Sequence, residues 1–410
     1  MKNLVMGVAK GYGWNDIEPF VVSFKKNCPD ADLVLFVDDL SDFTENKLKR
    51  GGGVQLQQIP NNLKSMIIVC SRFIMYKNFL AKHTKYENIF FTDIGDVIFQ
   101  DNVFKRYEKF KKFLVYATHP YKIEGEPTNT KWIRNIFSEN EYQKIKDNFV
   151  ICAGVIFGTY SEMMLLLEKI TKLMDSNPHW GDDQAILNYL IYNKLLPIEN
   201  LIESNVMTGD ILNLDYPTYT SYKLQIRENE VRNLNGGKPS VVHQWLTQEF
   251  IPIVNQIYRE KDFQPNENFT DVQSALDQIF CLVQRQNYST ATKFFVEYIL
   301  YAENLNIYGE KLLKLYQFVL QRYNPDAEIL LSAMQQALFS AFRTNINIQQ
   351  MENLYRLFIA TEKNIHVVNS SLKNFIEDML INFTDVFYKN NQQNNAREYI
   401  KRLAKWRNVE

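Results

Sequence analysis

Two aspartates at the end of a predicted strand are the first residues in this chain that could do chemistry. Asp93 and Asp96 directly follow the apolar run Ile89–Phe91, and a second apolar run, Val97–Phe99, comes next. A carboxylate at the end of a core strand is costly unless something positive offsets its charge. Mg²⁺ and Mn²⁺ take carboxylate oxygens as ligands and keep places for substrate phosphates. The pair therefore predicts a divalent-metal site, although a strand-end turn with a capping Asp explains the same residues.

Three other polar groups could join such a site. Arg72, in "CSRFIMYKNFLAKH", could bind an anion through bidentate hydrogen bonds, or form a surface ion pair. The segment "HWGDDQAILNYL" offers carboxylates and an amide for sugar hydroxyls, or a helix cap. His243 follows a short apolar run in "GGKPSVVHQW" and suits Mn²⁺, or is an ordinary buried histidine.

The elements that must position these groups alternate between strands and helices. Predicted strands are "NLVMGVA", "ADLVLFVDD", "YENIFFTD", "FLVYATH" and "NFVICAGVIFGT". Predicted helices are "DIEPFVVSFKKN", "IIVCSRFIMYKNFLAKH", "SEMMLLLEKITKLMD", with Ser161 as its N-cap, and "DDQAILNYLIYNK". This alternation predicts an α/β fold with a largely parallel sheet and helices on both faces. Ligands of such sheets bind at the carboxyl ends of the strands, where Asp38, Asp39, Asp93 and Asp96 are expected.

The last part of the chain has a different composition. Only Gly309 follows Gly237, and only Pro325 follows Pro265, so a nearly continuous helical region is predicted. We expect a domain of residues 1–262 and an all-helical domain of residues 263–410, with the boundary in the polar segment Lys261–Thr270. The second domain is predicted to be an all-α bundle or a tetratricopeptide-like stack.

Composition excludes several classes of protein. The formal net charge is −1, so nucleic acid is not an expected partner. Four scattered cysteines without a CxxC pair favour neither a disulfide framework nor a zinc site. The chain has neither a signal-peptide pattern nor a long apolar run, so a cytoplasmic location is expected.

Five stretches, in the same order along the chain, resemble GT-A-fold nucleotide-sugar glycosyltransferases, and family 8-like enzymes most closely. "FFTDIGDVIFQD" resembles their metal-binding DxD motif, with one extra residue between the acids. The others are "LVMGVAKGYGW", "CSRFIMYKNFLAKH", "HWGDDQAILNYL" and "GGKPSVVHQW". The resemblance covers the first domain and implies a Rossmann-like GT-A fold; it says nothing about the helical domain.

The resemblance also implies site roles. Asp93, Asp96 and His243 would hold Mn²⁺ or Mg²⁺. The groups expected to orient the donor sugar are Asp182, Asp183 and Gln184. The groups expected to contact the nucleotide and its diphosphate are Val8, Ala9, Gly11, Tyr12, Asp38, Arg72, Asp93 and Lys238.

The reaction implied is transfer of a sugar from a nucleotide diphosphate, expected to be UDP, to a hydroxyl. The resemblance favours a hexosyltransferase that retains the anomeric configuration, acting in bacterial surface-glycan assembly: lipopolysaccharide, capsule or glycoprotein. The acceptor would be a glycan, a lipid-linked molecule or a protein. The sugar, acceptor and linkage depend on loops such as Tyr121–Gln143, where Trp132 could stack on a sugar ring.

Two other functions compete with this one. A nucleotidyltransferase acting on sugar phosphates would also use an α/β sheet, paired acids and a divalent ion, but "AKGYGWND" carries only Lys10. A helical scaffold protein with an inactive transferase domain is the non-enzymatic alternative. The helical domain could also mediate homo-oligomerisation. The basic segment 396–410 could contact the inner face of the cell membrane, or be a solvated helix.

Overall fold

The structure, a computed structural model, describes most of the chain as two compact units. The described residues are 2–50, 53–214, 225–246, 250–261, 263–269, 271–303, 305–343, 377, 380–381, 384–385, 387–388 and 393–407. The first unit comprises Met1–Leu40 and Thr44–Phe263, and the second comprises Ser41–Phe43 and Gln264–Glu410. The predicted division into two domains at residue 262 stays a prediction.

The first unit contains a seven-stranded sheet. Its strands are β1 (Lys2–Lys10), β2 (Asp32–Asp38), β3 (Val54–Gln58), β4 (Tyr86–Thr92), β6 (Phe113–Lys122), β7 (Phe149–Thr159) and β8 (Asn200–Ser204). Their order is β3-β2-β1-β4-β7-β6-β8, and only β7 pairs antiparallel with its neighbours. The predicted α/β fold with a largely parallel sheet is therefore confirmed. The carboxyl ends of β1, β2 and β4 meet at one edge of this sheet.

Helices cover both faces of the sheet. They are α1 (Trp14–Asn27), α2 (Asp42–Arg50), α3 (Ile68–Leu80), α4 (Val103–Tyr107), α5 (Pro127–Ile136), α6 (Glu139–Ile145), α7 (Tyr160–Leu173), α8 (Asp182–Tyr192) and α9 (Ile251–Ile257). Side chains of β4 alternate between the two faces, as strand geometry requires. Ile89 and Phe91 join a core with α3, α7 and α8. Phe90 faces the other way and packs on Phe99 and Phe157 at ring distances of 5.8 and 5.9 Å.

A second, three-stranded sheet connects distant parts of the chain. Its strands are β5 (Val97–Phe99), β12 (Val241–His243) and β9 (Ile211–Asn213), in the order β5-β12-β9. A separate hairpin is formed by β10 (Gln225–Arg227) and β11 (Glu230–Arg232). In this register His243 lies opposite Val97, the residue after Asp96, and beside Asn213. The small sheet therefore brings the end of "SVVH" to the acid pair.

Two local predictions were wrong. Ser161 is not the N-cap of α7, because the helix begins at Tyr160 and its N-cap is Thr159. The segment Tyr121–Gln143 is not a loop, since it contains α5 and most of α6. Both helices have strong start signals: Glu126 caps α5 ahead of Pro127, and Ser138 forms a capping box with Glu141.

The described residues of the second unit are largely helical. They form α10 (Val272–Gln284), α11 (Tyr288–Tyr298), α12 (Leu305–Gln321), α13 (Glu328–Arg343) and α14 (Gln393–Arg407). Two further parts of the predicted helical region, "IQQMENLYRLFIATE" and most of "SLKNFIEDMLINFTDVFYK", lie outside the described residues. None of the helices in the part of the chain that the structure describes has the length and apolar character needed to cross a bilayer.

Candidate active site

The two aspartates and the distant histidine meet at one point. One ligand atom from each of Asp93, Asp96 and His243 lies within 4.8 Å of the other two. His243 Nε2 is 3.5 Å from Asp93 Oδ2 and 3.5 Å from Asp96 Oδ1. The imidazole is 2% exposed, whereas the carboxylates are 39% and 28% exposed, so the cluster is buried on one side and open on the other. An ion could therefore reach it from solvent.

The turn between the two aspartates depends on close packing of its middle residues. Ile94 is buried against Gly7 of β1, where a Cβ would lie 2.5 Å from Ile94 Cγ2. Gly95 passes beneath the Tyr12 ring, where a Cβ would lie 2.9 Å from a ring carbon. The extra residue of the DxxD spacing is thus directed into the protein, and both carboxylates stay on the open side.

A glycine on β7 leaves the space that the cluster occupies. A Cβ at Gly154 would lie 2.5 Å from Asp93 Oδ2 and 2.6 Å from His243 Cε1. The Gly154 carbonyl also accepts a hydrogen bond from the Asp93 backbone N–H at 2.7 Å. Sequence analysis missed this residue, because a glycine in the middle of an apolar strand gives no hint of what approaches it.

The charges of the cluster set its protonation. Burial would raise the pKa of Asp93, but the Arg72 guanidinium and the hydrogen bond from His243 lower this pKa to about 2. Burial likewise opposes the charged form of His243, yet the negative charges of the Asp96 carboxylate and the Cys152 thiolate raise the pKa of the imidazole well above its ordinary value. In the metal-free protein, a protonated His243 therefore offsets part of the negative charge of Asp93 and Asp96.

Arg72 bridges the cluster to the start of α8. Its Nη1 donates to Asp93 Oδ1, and its Nη2 donates to Asp183 Oδ2 at 3.0 Å and to the Ala153 carbonyl at 2.9 Å. Burial raises the pKa of Asp183 to about 6, even though Arg72 opposes this shift. Both terminal nitrogens of Arg72 thus bind protein groups, and its bidentate contact with a diphosphate stays a prediction.

The first residues of α8 are held by surrounding elements. Gln184 Oε1 accepts from the Ala153 N–H at 3.1 Å, and its Nε2 donates to Asn129 Oδ1 of α5 at 2.7 Å. Asp182 accepts from the His179 N–H at 2.7 Å, which is the role of a helix-start residue. Asp183 and Gln184 thus adjoin the cluster, whereas the contacts of Asp182 are those of a cap.

The predicted nucleotide-binding residues lie at the carboxyl end of β1 and in the loop that follows. Val8 and Ala9 belong to β1, and Gly11 has a φ of 69° and donates its N–H to the Asp38 carbonyl at 2.9 Å. The Tyr12 ring lies against Gly95; burial first, then the charges of Asp93 and Asp96, raise the pKa of its phenol to about 12. Of these residues, Tyr12 adjoins the acid pair.

Asp38 and Lys238 do not join the cluster. The Asp38 carboxylate pairs with Lys64 at 2.6 Å and Lys10 at 3.9 Å. Lys238 pairs with Glu230 at 2.6 Å and precedes the end of β12 that lies opposite Phe99, away from His243. Its contact with phosphates stays a prediction.

Comparisons with known proteins find solved structures whose backbones are distantly similar to that of this chain. No protein-family model and no curated protein matches the chain. The galactosyltransferase LgtC, in complex with donor and acceptor sugar analogs, matches at 13% identity with a TM-score of 0.37, covering 63% of this chain and 98% of that chain. An active-site mutant of LgtC matches at 12% identity with a TM-score of 0.38, with the same coverage. A glycosyltransferase involved in glycosylation of the major capsid of PBCV-1 matches at 9% identity and a TM-score of 0.33, covering 62% and 98% of the two chains. Similarities this distant show nothing about the substrate or mechanism of this chain.

Proposed function

We propose that the chain is a metal-dependent glycosyltransferase of the GT-A type, which moves a sugar from a nucleotide diphosphate to a hydroxyl. One observation carries the proposal. Asp93 and Asp96 end a strand of the main sheet, and His243 ends a strand of a different sheet, yet their ligand atoms converge within 4.8 Å. Arg72 then joins this cluster to Asp183, at the start of the helix that also presents Gln184.

The donor set fits Mn²⁺ or Mg²⁺. Two carboxylates and one imidazole nitrogen suit a hard or borderline divalent cation, and Mn²⁺ accepts the mixed set readily. His243 directs Nε2 towards the acids while Nδ1 binds Asn213 Oδ1 at 2.6 Å, so one ring nitrogen is left for a ligand role. A bound cation supplies Lewis-acid neutralisation of the charge that develops on the departing diphosphate.

The residues beside the cluster can bind and orient the donor. Asp183 and Gln184 present a carboxylate and an amide to sugar hydroxyls, and both are fixed in place by protein hydrogen bonds. Such preorganisation is the positioning part of catalysis. Arg72 holds the Asp93 and Asp183 carboxylates in one arrangement, and its positive charge beside the cluster would favour a diphosphate bound to the cation.

Finer features rest on the family resemblance alone and stay predictions. They are the UDP base, the hexose, retention of configuration, the role in surface-glycan assembly and the class of acceptor.

The experiment is donor turnover in a panel of nucleotide sugars with added Mn²⁺. We expect one donor to be hydrolysed without acceptor, releasing a nucleoside diphosphate. Asp96→Asn should abolish this turnover, whereas the matched variant Asp101→Asn, a 48% exposed carboxylate outside the cluster, should leave it unchanged.

Two outcomes would overturn the proposal. Pyrophosphate formed from a sugar phosphate and a nucleoside triphosphate would identify a nucleotidyltransferase instead. The absence of both donor turnover and Mn²⁺ binding would favour a scaffold with an inactive transferase domain.

A further inference from the structure

The buried amide of Asn213 binds the ring nitrogen of His243 that faces away from the acid pair. Its Nδ1 lies 2.6 Å from Asn213 Oδ1, on the side of the ring opposite the acid pair. Asn213 and His243 are 1% and 2% exposed, so water does not compete for this hydrogen bond. The Cys152 Sγ, 3.7 Å from Nδ1, is a longer and weaker partner of the same nitrogen.

Strand pairing brings Asn213 and His243 together. β9 and β12 run parallel with Asn213 in register with His243, so the two side chains leave neighbouring strands at the same level. The Leu214 N–H also donates to the His243 carbonyl at 3.1 Å, which extends the pairing past the histidine. The position of the amide is therefore set by the backbone of the small sheet.

A second histidine orients the amide of Asn213. His119 Nε2, on β6, lies 3.4 Å from Asn213 Nδ2, and the His119 ring stacks on Tyr121 with centroids 5.1 Å apart. An amide that donates through Nδ2 to His119 must turn Oδ1, an acceptor, towards His243. His243 can then satisfy that oxygen only by carrying a proton on Nδ1.

We propose that Asn213 is a positioning residue that keeps one proton of His243 on Nδ1, so that the proton released when a cation binds is the one on Nε2, with His119 fixing the amide. This inference rests on the proposed cation site. A ligating histidine whose other nitrogen donates to a fixed acceptor has its tautomer and ring orientation set before the metal arrives. Without the acceptor, the neutral ring can place its proton on Nε2, where ligation is impossible.

The test compares two substitutions at one position. Asn213→Asp keeps an acceptor oxygen beside Nδ1, whereas Asn213→Leu has a similar shape and no acceptor. Titration with Mn²⁺ alone should show affinity within a few-fold of the parent for the Asp variant and a loss of about 10- to 100-fold for the Leu variant. Asn213→Ala gives the same comparison if the Leu variant does not fold.

A spectroscopic readout separates positioning from general damage. In protein with ¹⁵N-labelled histidine, the Nδ1–H proton of His243 should be shifted downfield and slow to exchange with solvent, in the metal-free and Mg²⁺-loaded states alike. Asn213→Leu should remove that signature, and Asn213→Asp should keep it. The control is Asn188→Leu, which removes an equally buried amide bonded to Ile151 and should change stability but neither Mn²⁺ affinity nor this proton.

The outcomes distinguish this inference from the proposed function. Parent-like Mn²⁺ affinity and an unchanged Nδ1–H signal in Asn213→Leu would overturn the positioning role while leaving the cation site standing. Equal losses in the Asp and Leu variants would also overturn it. If the parent protein binds no Mn²⁺, the proposed cation site is refuted, and the inference about Asn213 with it.

Discussion

At the scale of single residues, the site depends on small side chains as much as on charged ones. Gly7 admits Ile94, and Gly154 admits the Asp93 carboxylate and the His243 ring. The acids were recognisable from sequence because charge at the end of an apolar strand is unusual. Gly154 and Asn213 were not, because their importance comes from what lies beside them after folding.

Gly154→Ala should disrupt the ligand geometry of the cluster without replacing any of the three ligand residues. The added Cβ would lie 2.5 Å from Asp93 Oδ2, a distance at which one of the two must move. We expect Mn²⁺ affinity to fall by at least about tenfold, as for other changes that displace a metal ligand. Isothermal titration measures this, and Gly309→Ala, with open space around it, is the matched control. Unchanged affinity in Gly154→Ala would refute the geometry.

Cation binding should release a proton from His243. The pKa of this imidazole is raised in the metal-free protein, so its protonated form stabilises the fold below pH about 6.5 and the contribution is lost as pH rises through the raised pKa. A metal ligand must be the neutral imidazole. Calorimetry at pH 7 in buffers of different ionisation enthalpy should therefore show about one proton released per Mn²⁺. His243→Gln should show none, and proton-free binding to the parent would contradict the assignment.

At the scale of elements, the strands and helices that carry the acids follow from the sequence, whereas the helices of the segment Tyr121–Gln143 do not. Alternating apolar runs identified β1, β2, β4, β6 and β7 because each is buried in the sheet. The segment Tyr121–Gln143 is polar, with a narrow apolar face, so the sequence predicts a loop where the structure has α5 and α6. The pairing of β12 with β5 joins distant residues, and no local pattern encodes it.

Helix α5 should influence the site through Asn129. This residue accepts a hydrogen bond from Gln184 Nε2 and donates through its own Nδ2 to Glu126 at 2.7 Å. Asn129→Ala removes both bonds, but only the neutral one to Gln184 reaches the site, so kcat/KM for the donor should fall about 2- to 12-fold. Steady-state kinetics against the exposed-residue control Lys131→Ala tests this. Equal kcat/KM values in the two variants would show that Gln184 functions without the hydrogen bond to Asn129.

The segment after α9 should be fixed to α1 by a buried ion pair. Glu18 is fully buried; it accepts from Arg259 Nη1 at 3.0 Å and from the Glu260 N–H at 2.8 Å. Glu18→Gln leaves a buried guanidinium without its counter-charge, so the free energy of unfolding of the first unit should fall by about 3–5 kcal/mol.

Urea unfolding followed by tryptophan fluorescence measures this loss, since four of the five tryptophans, Trp14, Trp132, Trp180 and Trp245, belong to the first unit. The control is Glu45→Gln, which breaks a helical i,i+4 pair with Lys49 worth about 0.3–0.5 kcal/mol. Similar losses in the two variants would show that the buried pair contributes no more than a surface one.

At the scale of the whole molecule, the helical second unit has no assigned role. Helix α14 buries Ala396 and Tyr399, and Tyr399 stacks on Phe387 at 5.2 Å, so part of its apolar face packs inside the protein. Arg397 and Lys401 are exposed. Membrane contact through residues 396–410 and oligomerisation through the helices stay predictions.

If α14 contacts lipid, the contact should be electrostatic. The double variant Arg397→Glu/Lys401→Glu should then abolish flotation with vesicles rich in phosphatidylserine, and salt should weaken flotation of the parent. The parent failing to float at low salt would exclude the contact.

The central claim is that Asp93, Asp96 and His243 jointly hold a divalent cation that binds a nucleotide diphosphate. A crystal structure with Mn²⁺ and UDP, using the anomalous signal of manganese, tests it most directly. We expect one anomalous peak coordinated by Asp93, His243 and the diphosphate, with Asp96 ligating directly or through water. Manganese elsewhere with this cluster empty, or UDP bound away from it, would contradict the account.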